Sequence, residues 1–191
     1  MTGKKNVVFG FIYLALSAVL GPYMLNTYYG DVYKTAAAKQ KQMSKLEQFA
    51  SNDYMDQELN KMSGEQIARA NTKAILSLSQ SLNSRTPINS IKGGPHAHGT
   101  LEAILNIVAG IALAFIAVSP LFKQIISWMF IVGTVLHSGM LYFALALNMG
   151  WAQSLLGSPV SVIGPGILLC ALILMAVAAY MGFGTRAFKE E

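Results

Sequence analysis

Charged side chains are scarce in this sequence. Only 12% of its 191 residues are Asp, Glu, Lys or Arg, and 53% are apolar, whereas about a quarter of the residues of a soluble domain are charged. No charge lies between Gln124 and Thr185, or between Asn6 and Gly30. A chain of this length cannot bury such long apolar runs in one soluble core, so the composition excludes a water-soluble domain and indicates a polytopic membrane protein.

Paired cysteines and the common catalytic motifs are also absent. Cys170 is the only cysteine, which excludes an internal disulfide and a paired-cysteine metal site. The sequence has no Walker loop, no Rossmann glycines and no nucleophile elbow. The net charge of +5 does not indicate nucleic-acid binding, because nine of the 14 Lys and Arg lie between Asp31 and Lys92 among six acidic residues. No arginine cluster with interleaved aromatics occurs, so we expect no nucleic-acid partner.

Four apolar runs are long enough to cross a bilayer, which takes about 20 residues of helix. They cover residues 7–26, 101–122, 125–147 and 160–183. The sequence therefore predicts an all-α protein, a four-span transmembrane helical bundle. The first run follows Lys4 and Lys5 like a signal peptide, but it exceeds the usual apolar length of such peptides, and we predict an uncleaved anchor.

The polar segment between the first two runs has the pattern of an extramembrane helical hairpin. Residues 33–49 are rich in good helix formers. Ser63 followed by Gln66 is typical of a capping box that starts a second helix, and residues 83–87 are expected to end it. The chain divides into a first transmembrane helix (1–30), an outer hairpin (31–94) and a three-span bundle (95–191). The hairpin either docks a partner or packs on its own bundle.

Positive charges next to the apolar runs predict the orientation in the membrane. Cytoplasmic flanks carry the excess of Lys and Arg, and the flanking basic residues here are Lys4, Lys5, Lys123, Arg186 and Lys189. We expect both termini in the cytoplasm and residues 31–94 in the periplasm or outside the cell. The expected location is a bacterial inner membrane, with the lipid bilayer as one partner and other membrane subunits or a second copy as others.

Polar residues recur every fourth position in the second run. His98, Glu102, Asn106 and Gly110 share one stripe of an otherwise apolar helix that begins near Pro95. A carboxylate in a span is costly, so Glu102 is expected to face protein or water. His98 and Glu102 lie one turn apart and suit a metal ion or proton exchange. His96 joins them only where the backbone is not yet helical.

His137 is the second candidate, near the middle of the third run. Gly133, one turn away, leaves room for a close helix or for a flat cofactor. A neutral imidazole in hydrocarbon suits haem iron, and we expect haem b, or else copper or another metal ion. The predicted cofactor-binding residues are His98, His137, Asn106 and Gly133, and the predicted metal ligands are His96, His98, Glu102 and His137.

The predicted run boundaries place His137 roughly 15 Å deeper than His98. One iron bound by both histidines is therefore not expected, and Asn106 and Gly110 match His137 better in level. A haem on His137 would direct its propionates toward His96 and His98. Alternatively, these outer residues bind a separate metal, or serve a quinone or a proton path.

The His96-Ala97-His98 motif, followed in the next helix by His-Ser-Gly-Met-Leu-Tyr-Phe from His137, resembles small multi-span proteins related to subunit I of the haem-copper oxidases. The resemblance covers residues 93–145. It implies that His98 or His96 corresponds to the haem-ligating histidine of helix two, and that His137 corresponds to a histidine of the following helix. The copper-ligand histidines and the histidine-tyrosine pair of the oxidases are absent, so oxygen reduction by this chain alone is not implied.

Three functions fit these patterns. The first is an integral membrane redox-type protein with a haem or metal cofactor in the bundle, as a component or relative of respiratory electron-transfer machinery. The second is a non-catalytic accessory or assembly subunit whose hairpin binds a larger membrane complex. The third is a small transporter in which Glu102, Asn106 and His137 form a proton or ion path.

Overall fold

The computed structural model describes residues 3–55 and 60–182, which are almost entirely helical and contain no strand. Four helical stretches are long and apolar enough to cross a membrane, which confirms the predicted all-α class and number of candidate spans. The helices are α1 (Lys4–Ser51), α2 (Gly64–Ile91), α3 (Ala97–Phe115), α4 (Pro120–Thr134), α5 (Gly150–Leu156) and α6 (Ile163–Gly182).

The chain forms two compact units, and the smaller consists of residues 23–89. It is a helical hairpin made of the second part of α1 and most of α2. The predicted capping box is confirmed, because the Ser63 amide donates to Gln66 Oε1 at 2.7 Å and the Gln66 amide donates to Ser63 Oγ at 3.2 Å. The predicted helix end at 83–87 is wrong. Helix α2 continues through Pro87, since an internal proline removes one backbone hydrogen bond and can kink a helix without ending it.

The larger unit consists of residues 3–22 and 90–182. It holds the start of α1 together with α3, α4, α5 and α6, and its apolar core lies where α3, α4 and α6 meet. The core residues are Ala109, Leu113, Ile116, Ile126, Phe130, Leu168, Ala171 and Ala178. Helix α6 begins after a 3₁₀ turn at Pro159–Val162. Phe183, Arg186 and Lys189, used above for a span end and for the orientation, lie outside the described residues.

The turn between α3 and α4 lies earlier in the chain than predicted. Helix α3 ends at Phe115 and Ile116 is extended, with φ −74° and ψ 130°. Ser119 then caps α4 by accepting from the Phe122 amide, and Pro120 takes the first helical position, where its missing N–H has no cost. The predicted boundary at 122–125 is wrong because apolar residues continue through the turn and conceal it.

Three turns of π-helix interrupt the larger unit, at Lys92–His96, Val135–Gly139 and Tyr142–Ala146. In the first turn Gly94 leaves the helical region, with φ −89° and ψ −105°. This break lies immediately before α3, close to the predicted helix start at Pro95. The second turn continues α4 and carries His137. Single π-helical turns inside longer helices are found frequently at functional sites.

Candidate metal centre

His98 and His137 lie at the same level of the bundle. His98 is 17 residues before the end of α3, from 98 to 115, and His137 is 17 residues after the start of α4, from 120 to 137. Two helices joined by a short turn run antiparallel, so equal distances from the turn place these residues side by side. The predicted depth difference between the histidines is wrong, because it followed from the misplaced turn.

The two histidines and Glu102 form a group that could hold a metal ion. One donor atom from each of these residues lies within 4.8 Å of the others. The imidazole rings of His98 and His137 are 4.9 Å apart between centroids and meet edge to face at 65°. Glu102 is only 3% exposed, which confirms that it faces protein, whereas His98 is exposed. The group therefore has a buried carboxylate and an accessible imidazole.

Both carboxylate oxygens of Glu102 are hydrogen-bonded across to the π turn. Oε1 lies 2.5 Å from His137 Nδ1, and Oε2 accepts from the Ser138 hydroxyl at 2.6 Å. A carboxylate accepts, so Nδ1 of His137 carries the proton in this contact. For Glu102 and His137 to ligate one ion, this proton must leave and the ion must take its place between the two groups.

Tyr13 of α1 joins the group through Ser138, and the sequence analysis missed it. Its hydroxyl lies 2.9 Å from Ser138 Oγ. Because the Ser138 proton is directed to Glu102, the tyrosine is the donor in this bond. The ring of Tyr13 stacks on Phe9 with centroids 5.5 Å apart. A tyrosine in an apolar run carries no sequence signal of such a role.

Asn106 lies one turn below Glu102 and has a structural role. Its amide donates to Thr134 Oγ1 at 2.9 Å and to the Glu102 carbonyl at 3.0 Å, and its own carbonyl accepts from Asn6 at 3.1 Å. Asn6 also donates to the Ser127 carbonyl. The side chains of Asn6, Asn106, Ser127 and Thr134 are buried. The hydrogen bonds among these residues tie α1, α3 and α4 together. The cofactor contact of Asn106 stays a prediction. Gly110 packs against Gly3 and not beside His137.

Two glycines bring α6 against the helix that carries His137. A Cβ on Gly133 would lie 2.7 Å from the Leu168 side chain. Of the two alternatives for Gly133, the structure favours the close helix over the flat cofactor. A Cβ on Gly164 would lie 2.6 Å from the His137 amide nitrogen and 2.7 Å from the Leu136 carbonyl carbon. The backbone of α6 therefore packs directly against the backbone of the π turn at Leu136 and His137.

His96 lies outside the group of three. Its Nδ1 is 2.9 Å from the carbonyl oxygen of Ser17 in α1, and a carbonyl only accepts, so this nitrogen is the donor. The backbone at His96 is already helical, with φ −71° and ψ −50°, so the condition for its predicted participation is not met, and the ring is bound to α1. Of the four predicted ligands His96, His98, Glu102 and His137, the structure brings the last three together.

No family model, curated protein or solved structure matches this chain.

Proposed function

We propose that this chain is an integral membrane protein that binds a divalent transition-metal ion at His98, Glu102 and His137. We propose further that the ion has a redox-type role, in a component or relative of respiratory electron-transfer machinery. The observation that carries the metal site is the convergence of three donor atoms from two spans within 4.8 Å of one another. The redox role rests on the resemblance of residues 93–145 to haem-copper oxidase relatives.

The donor set is two imidazoles and one carboxylate. Imidazole nitrogen suits zinc, copper, iron and nickel, and a site of two histidines and one carboxylate with open positions is typical of non-haem Fe(II) and of catalytic zinc. A soft-metal site is not supported, because Cys170 lies on the exposed face of α6. Iron or copper would supply the redox chemistry that the proposal requires, and zinc would not.

The ring spacing does not fit a haem b iron held between the two imidazoles, and Leu168 packs on Gly133, where a haem on His137 alone was expected to lie. Metal–nitrogen bonds are about 2 Å long, so two axial imidazoles on opposite sides of a haem iron have ring centroids about 6 Å apart. Here the centroids are 4.9 Å apart and the rings meet edge to face. The Glu102 carboxylate is also hydrogen-bonded to the His137 ring, which places it close enough to share one ion with that ring.

Metal analysis and visible spectroscopy of the detergent-purified protein test the proposal. We expect about one transition-metal ion per chain, no Soret band, and an electron paramagnetic resonance signal that changes on reduction. A Soret band that disappears in His137→Ala would show that the bound cofactor is haem and not a metal ion. Zinc alone would overturn the redox role, and a protein that neither retains nor rebinds any metal would overturn the proposal as a whole.

Tyr13→Phe is expected to weaken metal binding by about tenfold. Loss of a group that orients a ligand costs about 10- to 100-fold in metal affinity, and Tyr13 acts only through Ser138 on Glu102 Oε2. The measurement is a competition titration with a chromophoric chelator. Phe9→Leu is the matched control, because it removes the stacked ring and keeps the hydroxyl. Unchanged affinity in Tyr13→Phe would show that the Tyr13 hydroxyl does not position the carboxylate.

The accessory or assembly function remains a second candidate because α2 exposes large apolar side chains. Ile75, Leu76 and Leu82 are 65%, 58% and 60% exposed. Apolar clusters of this kind are common at protein interfaces. A metal-free preparation that co-purifies with a larger membrane partner, and loses it when residues 52–82 are deleted, would favour this function.

A further inference from the structure

An apolar cleft with two lysines lies at the end of the larger unit opposite the metal centre. Its volume is about 430 Å³, and its wall includes Val7, Ile111, Ala114 and Phe115. Lys4 of α1 and Lys123 of α4 both line it. We call it the lysine cleft. Its volume falls in the range of small-molecule sites, which are typically apolar with a few charged groups.

Close contact of two backbones shapes one side of the lysine cleft. A Cβ on Gly3 would lie 2.1 Å from the Gly110 carbonyl oxygen, and a Cβ on Gly110 would lie 2.6 Å from the Gly3 oxygen. This contact places the start of α1 against the C-terminal half of α3. The cleft is therefore defined by helix packing and not by the conformation of its side chains alone.

The two lysines have no anionic partner in the described part of the larger unit. Glu102 is the only acidic residue among 3–22 and 90–182, and it is bound to His137 and Ser138. Lys5, their neighbour, is already engaged, because its Nζ donates to Gln124 Oε1 at 2.6 Å and lies 4.0 Å from the centroid of the Trp128 ring. Lys4 and Lys123 thus present positive charge beside an apolar wall.

We propose that the lysine cleft binds one anionic phospholipid, with its phosphate on Lys4 and Lys123 and an acyl chain along the apolar wall. Basic pockets between membrane helices bind anionic lipid headgroups. A free phosphate would use the lysines but not the wall, whereas a phospholipid uses both. The bilayer that surrounds the spans supplies this ligand at high local concentration. This inference does not depend on the metal centre.

Native mass spectrometry of the full chain in neutral detergent tests the lysine cleft. The probes are phosphatidylglycerol and phosphatidylcholine with identical acyl chains. We expect one phosphatidylglycerol to bind about 30-fold more tightly than phosphatidylcholine, the effect of two lysines near an anionic lipid. The double variant Lys4→Gln, Lys123→Gln is expected to lose this preference. Lys41→Gln with Lys45→Gln, two exposed lysines of the hairpin, is the matched control and is expected to keep it.

A second variant separates the acyl chain from the headgroup. Ala114 is an exposed residue of the wall, so Ala114→Trp fills the cleft while both lysines and the core remain. We expect it to lower phosphatidylglycerol binding at least tenfold. Equal binding of the two lipids, or equal loss in the hairpin control, would overturn the proposal. If Ala114→Trp binds phosphatidylglycerol unchanged and inorganic phosphate competes with the lipid, the cleft binds only the anionic headgroup and the proposed acyl-chain contact is wrong.

Discussion

Glu102→Ala is expected to lower the affinity for the transition-metal ion at least about 100-fold, which corresponds to about 2.8 kcal/mol. The variant removes the only anionic donor of the group and leaves His137 Nδ1 without its acceptor, while the Ser138 hydroxyl keeps only a longer bond to the Thr134 carbonyl at 3.3 Å. A buried polar group without a partner costs about 1–3 kcal/mol, so the free energy of unfolding also falls. The measurement is a metal titration alongside thermal unfolding in the same detergent.

Two further variants separate ligation from folding in this experiment. Glu102→Gln keeps the shape and a hydrogen-bonding oxygen but removes the charge, so we expect weak metal binding with a smaller loss of stability. Glu47→Ala removes an exposed carboxylate of the hairpin and is expected to change neither quantity. If Glu102→Ala folds and binds the ion as tightly as the unmodified chain, the carboxylate is not a ligand and the proposed centre is wrong.

Gly164→Ala is expected to destabilise the protein by about 1–3 kcal/mol, the usual cost of overpacking. The new methyl group would meet the backbone at Leu136 and His137 between 2.6 and 2.9 Å. Backbone atoms cannot rotate aside as a side chain does, so α6 or the π turn must move. Displacement of His137 also lowers metal affinity. Thermal unfolding in detergent and a metal titration measure the two effects.

Gly166→Ala is the matched control in the same helix. A Cβ on Gly166 has no neighbour within 4 Å, and alanine in a helix interior is more stable than glycine by about 0.5–1 kcal/mol. The control is therefore expected to be neutral or stabilising, with metal binding unchanged. Similar midpoints for the two variants would contradict the close contact of α6 with the π turn.

The direction in which Glu102 faces could be predicted from one sequence, but its partners could not. An ionised group in hydrocarbon is costly enough that Glu102 had to turn inward, and its helical spacing to Asn106 placed both on one face. Ser138, one residue after a predicted ligand, was not recognised as a partner of Glu102. Tyr13 lies 125 residues before Ser138 in the sequence, and nothing in an apolar run distinguishes a hydrogen-bonded tyrosine from one that only packs.

The turn at residues 116–119 has a signal in the sequence, the pair Ser119 and Pro120. A serine followed by proline is typical of an N-cap and first helical position, and Ser119 with Pro120 adopts them. A turn at 116–119 makes the number of residues from the turn to His98 equal to the number from the turn to His137, so both histidines lie at the same level. The error came from extending an apolar run through a turn that is itself apolar.

Hydropathy and the cost of buried charge determined the number of candidate spans, the helical class and the inward position of Glu102 from sequence alone, because these depend on local composition and helical period. Tertiary structure decided which side chains meet. The ring of His96 is hydrogen-bonded to the Ser17 carbonyl in α1, and the Leu168 side chain occupies the space beside Gly133. The π turn at Val135–Gly139 directs His137 and Ser138 to the Glu102 carboxylate. These contacts depend on helix register and close backbone approach, which are set by the packing of several helices at once.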